Sequence, residues 1–305
     1  MLGLGVAACS TGNGEPGGGA SSGGTTQPPG STTATQEPAA GESPFRRYVA
    51  LGDSYTAAPL TPGTDLAGGC LRSNLNYPGL LAKRLGVRLV DVSCSGADTG
   101  DVTEAQVFQV PTGETVRIPP QRRALSSRTD LVTIGLGGND EGLFGRIASA
   151  CTRSDPGACA AALDDGLDGD LDTIAGNLTE VVDEVRGRVA DDAVVVLVGY
   201  PRLAPASGSC AALPVEESDL GRLDGAVRGL NSAVRRAARD SDAVFLDLYR
   251  PSRGHDVCAD EPWINGIETV QGEALALHPF AVEQQAVARL LEPVVRRAAA
   301  SEGGS

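Results

Sequence analysis

The chain has 305 residues, with 39 acidic against 25 basic side chains and a formal net charge of −14. That balance excludes nucleic acid or an anionic membrane surface as the main partner, since both recruit basic patches. Hydrophobic residues make up 41% of the chain, enough for a sizeable core. No run approaches the ~18 apolar residues of a membrane-spanning helix.

Val6-Ala7-Ala8-Cys9 closes a short apolar stretch directly before a polar segment. This resembles a bacterial lipobox, whose cysteine is lipidated and becomes the new N-terminus. Residues 1–8 carry no Lys or Arg and are too short for a full signal peptide of about 15–30 residues. Residues 1–9 therefore read as a signal/lipobox remnant, with an ordinary cysteine at position 9 as the alternative. Residues 10–43 are almost entirely Gly, Ser, Thr, Pro, Ala and Gln, without apolar periodicity. Such a segment cannot bury enough surface to offset its chain entropy and reads as a disordered tether. What remains, residues 44–300, suits one α/β domain.

Within it, Arg47 to Leu51 opens as a strand and runs into Gly52-Asp53-Ser54. Pro78 to Leu85 reads as a helix with proline near its start. Val87 to Ser93 is a second strand, and Leu131 to Leu136 a third that ends in Gly137-Gly138-Asn139-Asp140. Over Asp170 to Val189, Leu171, Ile174, Leu178, Val181, Val182 and Val185 fall at helical spacing. Ala193 to Val198 is a continuous apolar run, as expected of a strand buried on both faces. A long amphipathic helix over Leu220 to Ala238, a fifth strand over Ala243 to Leu248 and a closing helix over Phe280 to Ala298 follow. Alternating strands and helices predict a parallel sheet covered on both sides, with ligands beyond the carboxyl ends of the strands. Ser54 and Asn139 both sit just past such ends.

Seven cysteines are present. With Cys9 set aside, an even set remains: Cys70, Cys94, Cys151, Cys159, Cys210 and Cys258. An even set in an exported chain suggests disulfides, in any of fifteen pairings. Metal binding is the weaker reading, because there is no Cys-x-x-Cys and only two histidines exist.

Four short segments carry candidate chemistry. A serine after a buried strand, flanked by glycine, can expose its hydroxyl at the sheet edge, yet Gly52-Asp53-Ser54 alone equally suits a turn or helix cap. Ser95-Gly96-Ala97-Asp98-Thr99 is either a plain turn or a source of an oxyanion-binding N–H from Gly96. Asn139 can offer a side-chain N–H to the same oxyanion, or merely cap a helix. His278, in Leu277-His278-Pro279, is the candidate base. The other histidine, His255, lies close to Cys258 and reads as structural.

Together, Gly52-Asp53-Ser54, Gly96, Gly137-x-Asn139-Asp140 and His278 follow the order of the four blocks of the SGNH (GDSL-type) hydrolase superfamily. The intervening segments Arg72-Ser73, Asn76-Tyr77-Pro78, Pro119-Pro120-Gln121, Thr129-Asp130-Leu131-Val132-Thr133 and Trp263-Ile264-Asn265-Gly266 resemble actinobacterial secreted esterases and lipases of that group. The resemblance implies a three-layer α/β/α flavodoxin-like sandwich with a five-stranded parallel sheet. It implies hydrolysis of carboxylic esters through an acyl-enzyme, with Ser54 as nucleophile and His278 as base. The oxyanion would be held by the Ser54 and Gly96 backbone N–H groups and by Asn139. It also favours the sequential pairs Cys70–Cys94, Cys151–Cys159 and Cys210–Cys258.

Three positions depart from the family pattern. Most members carry an Asp three residues before the histidine, where this chain has Leu275, and the nearest upstream carboxylate is Glu273. The chain is then inactive, or takes an acid from another loop such as Asp256, or uses a main-chain carbonyl. We favour the carbonyl, with that of Leu275 as the candidate. Tyr55 stands where Leu is usual, and Glu283 where Gly is usual. The expected protein is thus an exported monomeric ester hydrolase, secreted or held to the outer face of the membrane through a lipid on Cys9. Its substrate would be a small-molecule or lipid ester, with no metal or organic cofactor. The alternatives are a non-catalytic surface binding lipoprotein on the same scaffold, a glycan O-deacetylase, or a thioesterase. An aromatic content of 4% speaks weakly against a sugar-stacking surface.

Overall fold

Five parallel strands form the centre of the molecule: β1 (Arg47–Gly52), β2 (Arg88–Asp91), β3 (Leu131–Gly135), β4 (Val194–Val198) and β5 (Val244–Leu246). The computed structural model describes residues 43–302 apart from 66, 110–112, 153–154, 156 and 206. The lipobox remnant with Cys9, and the 10–43 segment up to residue 42, lie outside the described residues.

Each strand of the inner sheet is apolar at successive positions because its side chains alternate between two covered faces. Val49, Leu51, Val132, Ile134, Val195 and Leu197 point to one side, where they meet α5 (Leu167–Arg186) and α6 (Leu220–Asp240). Tyr48, Ala50, Leu131, Val194, Val196 and Val198 point to the other, against α2 (Tyr77–Leu85) and α7 (Ala281–Glu302). Burying each Leu, Ile or Val contributes about 1.5–3 kcal/mol, which is why these runs are unbroken. Local signals agree with the packing. Asn76 caps α2 by accepting the Gly79 N–H at 3.1 Å, Pro78 sits in its first turn, and Gly86 ends it with φ +67°.

The strand order is β2-β1-β3-β4-β5, the doubly wound order of flavodoxin-like folds. The chain leaves β1 in one direction for β2 and later returns on the other side for β3. That reversal opens a crevice between the carboxyl ends of β1 and β3, and the Ser54 and Asn139 segments emerge there.

The predicted strands and long helices are all present, with ends shifted by a few residues. Elements absent from the sequence prediction are α1 (Ser54–Ala57), α3 (Leu143–Ala150), α4 (Ala158–Leu163), a hairpin pairing Gln106–Gln109 with Thr115–Ile118, and a short ribbon pairing Thr64–Asp65 with Arg72–Ser73. All are short pieces whose form depends on neighbours rather than on their own periodicity. Disulfides join Cys70 to Cys94, Cys151 to Cys159 and Cys210 to Cys258. The first ties the Ser95-Gly96 segment down, and the Ser95 N–H also donates to the Cys70 carbonyl at 3.1 Å. Among the described residues no helix is long and apolar enough to cross a membrane.

Candidate active site

β1 ends at Gly52 and the chain turns at once into α1, with Ser54 as its first residue. Asp53 caps this helix, accepting the Tyr55 N–H at 2.8 Å. The Ser54 N–H therefore belongs to the first turn, where helix donors lack an intrahelical acceptor. Asp53 is fully buried, and its other oxygen accepts the Tyr200 hydroxyl at 2.6 Å. Burial pushes the Asp53 carboxyl up to about 7, with the hydrogen bonds from Tyr200 and Tyr55 pulling against it.

Tyr200 links this segment to the next. Its hydroxyl oxygen accepts the Gly138 N–H at 2.9 Å. Gly137 and Gly138 are required there for different reasons. Gly137 has φ +109°, and a Cβ on Gly138 would come within 2.2 Å of the Phe144 ring. Asn139 follows, and its Nδ2 donates to the Ala97 carbonyl at 2.8 Å. A side-chain amide carries two N–H donors, so the second can still serve a ligand. The same bond fixes the Gly96–Ala97 segment, where Gly96 takes φ +79°.

His278 sits on a turn closed by the hydrogen bond from its own N–H to the Leu275 carbonyl, 3.1 Å. Leu277, the third residue of the turn, has φ +61°, the mark of a type II turn. The Ala276 carbonyl then faces the ring, 2.6 Å from Nδ1. The carbonyl beside the imidazole is thus that of Ala276 and not, as expected, that of Leu275. The Leu275 carbonyl is already engaged by the turn and by Asn265 Nδ2 at 3.1 Å. Burial lowers the His278 pKa, and the Ala276 carbonyl raises it in part. Glu273 is exposed, and the carboxylate of Asp256 accepts the Cys258 N–H at 3.1 Å. His255 lies flat on Trp263 with ring centres 4.7 Å apart, and its Nδ1 meets the Glu261 carbonyl.

Ser54, Asn139 and His278 line one cavity of about 200 Å³, together with Tyr55, Phe144, Ile147, Leu203 and Leu277. Gly96 does not line it. That residue borders an adjacent cleft of about 430 Å³ with Ser95, Asp98, Asp101 and Gln106. A larger groove of about 890 Å³ runs past Arg72, Asn76, Leu89 and Arg123 and contains none of these groups. The smaller cavity is the candidate site because it joins a hydroxyl, an imidazole and an amide donor.

Sequence reasoning missed Tyr200, Ala276 and the buried Asn265, whose amide also holds the Glu268 and Ala274 carbonyls. The available signals were slight: a tyrosine at the carboxyl end of β4, and the Trp263-Ile264-Asn265-Gly266 segment itself.

Comparison with known proteins places the site in context. Residues 50–281 match the model of the GDSL-like Lipase/Acylhydrolase family. "Lipase 2" of Streptomyces coelicolor is 38% identical over 273 residues, covering 84% of this chain and 88% of that protein. The crystal structure of phospholipase A1 from Streptomyces albidoflavus aligns with TM-score 0.68 and 30% identity, over 83% of this chain and 99% of that one. The crystal structure of an extracellular lipase from Streptomyces rimosus aligns with TM-score 0.68 and 32% identity, over the same shares of 83% and 99%. With a family match over most of the chain and a relative 38% identical over 84% of it, the chain belongs to the GDSL-like lipase/acylhydrolase family.

Proposed function

We propose that the protein is a carboxylester hydrolase in which Ser54 and His278 work as a dyad, with the Ala276 carbonyl where a triad carboxylate would stand. The observation that carries this reading is the shared cavity of Ser54, Asn139 and His278. With Nδ1–H donated to Ala276, Nε2 is left as the basic nitrogen. It takes the Ser54 proton as Oγ forms a bond to the ester carbonyl carbon. The tetrahedral oxyanion is stabilised by the Ser54 N–H and by Asn139, with the Gly96 N–H, at the border of the adjacent cleft, as the third donor. Its collapse breaks the bond to the alcohol oxygen, which leaves with the proton from His278. Water then attacks the acyl-enzyme with His278 again as base, releasing the acid and restoring Ser54.

The lining by Phe144, Ile147, Leu203 and Leu277 suits an acyl chain. At about 200 Å³ the cavity falls below the ~300–1,000 Å³ typical of drug-sized ligands, which favours a short acyl group. The relatives named lipase and phospholipase A1 support an ester, and a lipid ester in particular, as the substrate class. Three disulfides and the extracellular relative support export. Lipidation of Cys9 would hold the enzyme on the outer face of the membrane as a monomer, and Cys9→Ser would then release it into the medium. Hydrolysis of p-nitrophenyl acyl esters by the purified protein tests the central reading. Turnover is expected in the native chain and not in Ser54→Ala or His278→Ala, and retained turnover in either variant would overturn it.

A further inference from the structure

Ser54 and His278 come from opposite ends of the domain, and two hydrogen bonds run from the serine segment to the histidine turn. One joins the Leu275 N–H to the Pro59 carbonyl at 3.2 Å. The other is donated by the Tyr55 hydroxyl to the Leu277 carbonyl at 2.7 Å. Tyr55 is the residue directly after the nucleophile, and its hydroxyl grips the residue directly before the base.

Leu277 is an unusual residue to grip. Its φ of +61° lies in a region that a branched apolar side chain rarely occupies without support from its surroundings. Here the residue is held at both ends. Its N–H donates to the Gly266 carbonyl at 2.8 Å, and its carbonyl accepts from Tyr55. The positive φ separates this turn from a type I turn, and the difference is a flip of the central peptide, whose oxygen belongs to Ala276. That oxygen is the one facing His278 Nδ1.

We propose that Tyr55 is a positioning residue: through the Leu277 carbonyl its hydroxyl keeps the 275–278 turn in the form that aims Ala276 at His278. The ring alone fills space, packing 5.2 Å from Phe144, 5.4 Å from Tyr200 and 5.6 Å from His278 between centres. The hydroxyl is not needed for that packing. Burial holds its pKa far above the ordinary value, so it remains a donor throughout the working range. The titratable groups packed behind it are Asp53, Tyr200 and Glu283; Asp53 accepts from Tyr200 and Glu283 from Gln284, and none of the three is hydrogen-bonded to the 275–278 turn.

The inference rests on His278 being the base. The test is steady-state hydrolysis of a p-nitrophenyl ester by Tyr55→Phe, with Ser54→Ala and His278→Ala alongside. The expected result is a kcat lowered about tenfold, the ratio that one net hydrogen bond near 1.4 kcal/mol controls, with KM nearly unchanged. Loss of the Ala276 acceptor also removes the contact that raises the His278 pKa, so the acid limb of kcat/KM moves to lower pH. Adding Leu277→Asn, a residue that tolerates positive φ, is expected to restore part of kcat. An unchanged kcat and pH limb, or a change in KM alone, overturns the inference while leaving the dyad intact. Full activity in His278→Ala overturns the dyad instead. If Tyr55→Phe does not fold, Leu277→Val carries the test. A β-branched residue resists φ +61°, so the same kcat loss and limb shift are expected, and native kinetics would overturn the proposal.

Discussion

The Ala276 carbonyl oxygen stands 2.6 Å from His278 Nδ1. A carbonyl can hold the tautomer, but it offers no full negative charge to the imidazolium that forms during catalysis. Burial therefore dominates, and the His278 pKa lies below 6.5. A base must be neutral to act, and a lowered pKa keeps it neutral into more acidic solution. The acid limb of kcat/KM is expected to have its midpoint below pH 6.5, measurable with an ester stable over that range. A midpoint above this value would contradict the assignment.

Neither Glu273 nor Asp256 is hydrogen-bonded to His278, whose Nδ1 meets the Ala276 carbonyl. Glu273 is exposed, and Asp256 is occupied with the Cys258 N–H. Glu273→Ala is expected to retain most of kcat, and Asp256→Asn to change stability more than turnover. Kinetics of the two purified variants, with circular dichroism as a folding control, decide this. A collapse of kcat in folded Glu273→Ala would mean that an acid does serve the histidine.

Asn139 holds the Ala97 carbonyl with one amide hydrogen, and in the proposed mechanism the other meets the oxyanion. Asn139→Ala is expected to reduce kcat by about 10²–10³, the usual result of deleting one such donor. The effect should fall on kcat more than on KM, because the charge it meets develops only in the transition state.

Glu283 is fully buried, and burial pushes its pKa up from 4.5 to about 8. Gln284 donates to its Oε2 at 2.7 Å. The folded state thus keeps this acid protonated while the unfolded chain ionises it. The resulting stability is fully present below pH 4.5 and is lost as pH rises through about 8. The total across the window is on the order of a few kcal/mol. Thermal unfolding should show Tm falling with pH over this range in the native chain, and a flatter profile in Glu283→Gln. Equal slopes would show that Glu283 is not responsible.

Gly145 lies on the cavity-lining helix α3, and a Cβ placed there meets nothing within 4 Å. Gly145→Leu should therefore fold and narrow the acyl site. The expected outcome is a fall in kcat/KM for octanoyl relative to acetyl esters of p-nitrophenol. An unchanged ratio would place the acyl chain elsewhere.

Much of this protein is legible in one dimension. Unbroken runs such as Val194–Val198 can only be strands covered on both faces, and the 3.6-residue rhythm of Ile174, Leu178 and Val182 can only face a core. Ser54 and Asn139 could be placed just past strand ends, and the order of four short blocks singled them out with His278 as candidates. Their partners could not be placed. Tyr200 meets Asp53 across 147 residues, and Tyr55 meets Leu277 across 222. Such contacts depend on how the sheet is wound and on how loops close over its edge, which no local spacing encodes. The expectation of a main-chain acceptor for His278 followed from the missing carboxylate, but its identity did not. Leu275 and Ala276 are equivalent as residues in a string. Only the positive φ of Leu277, held between Gly266 and Tyr55, turns the Ala276 oxygen toward the imidazole and leaves that of Leu275 closing the turn.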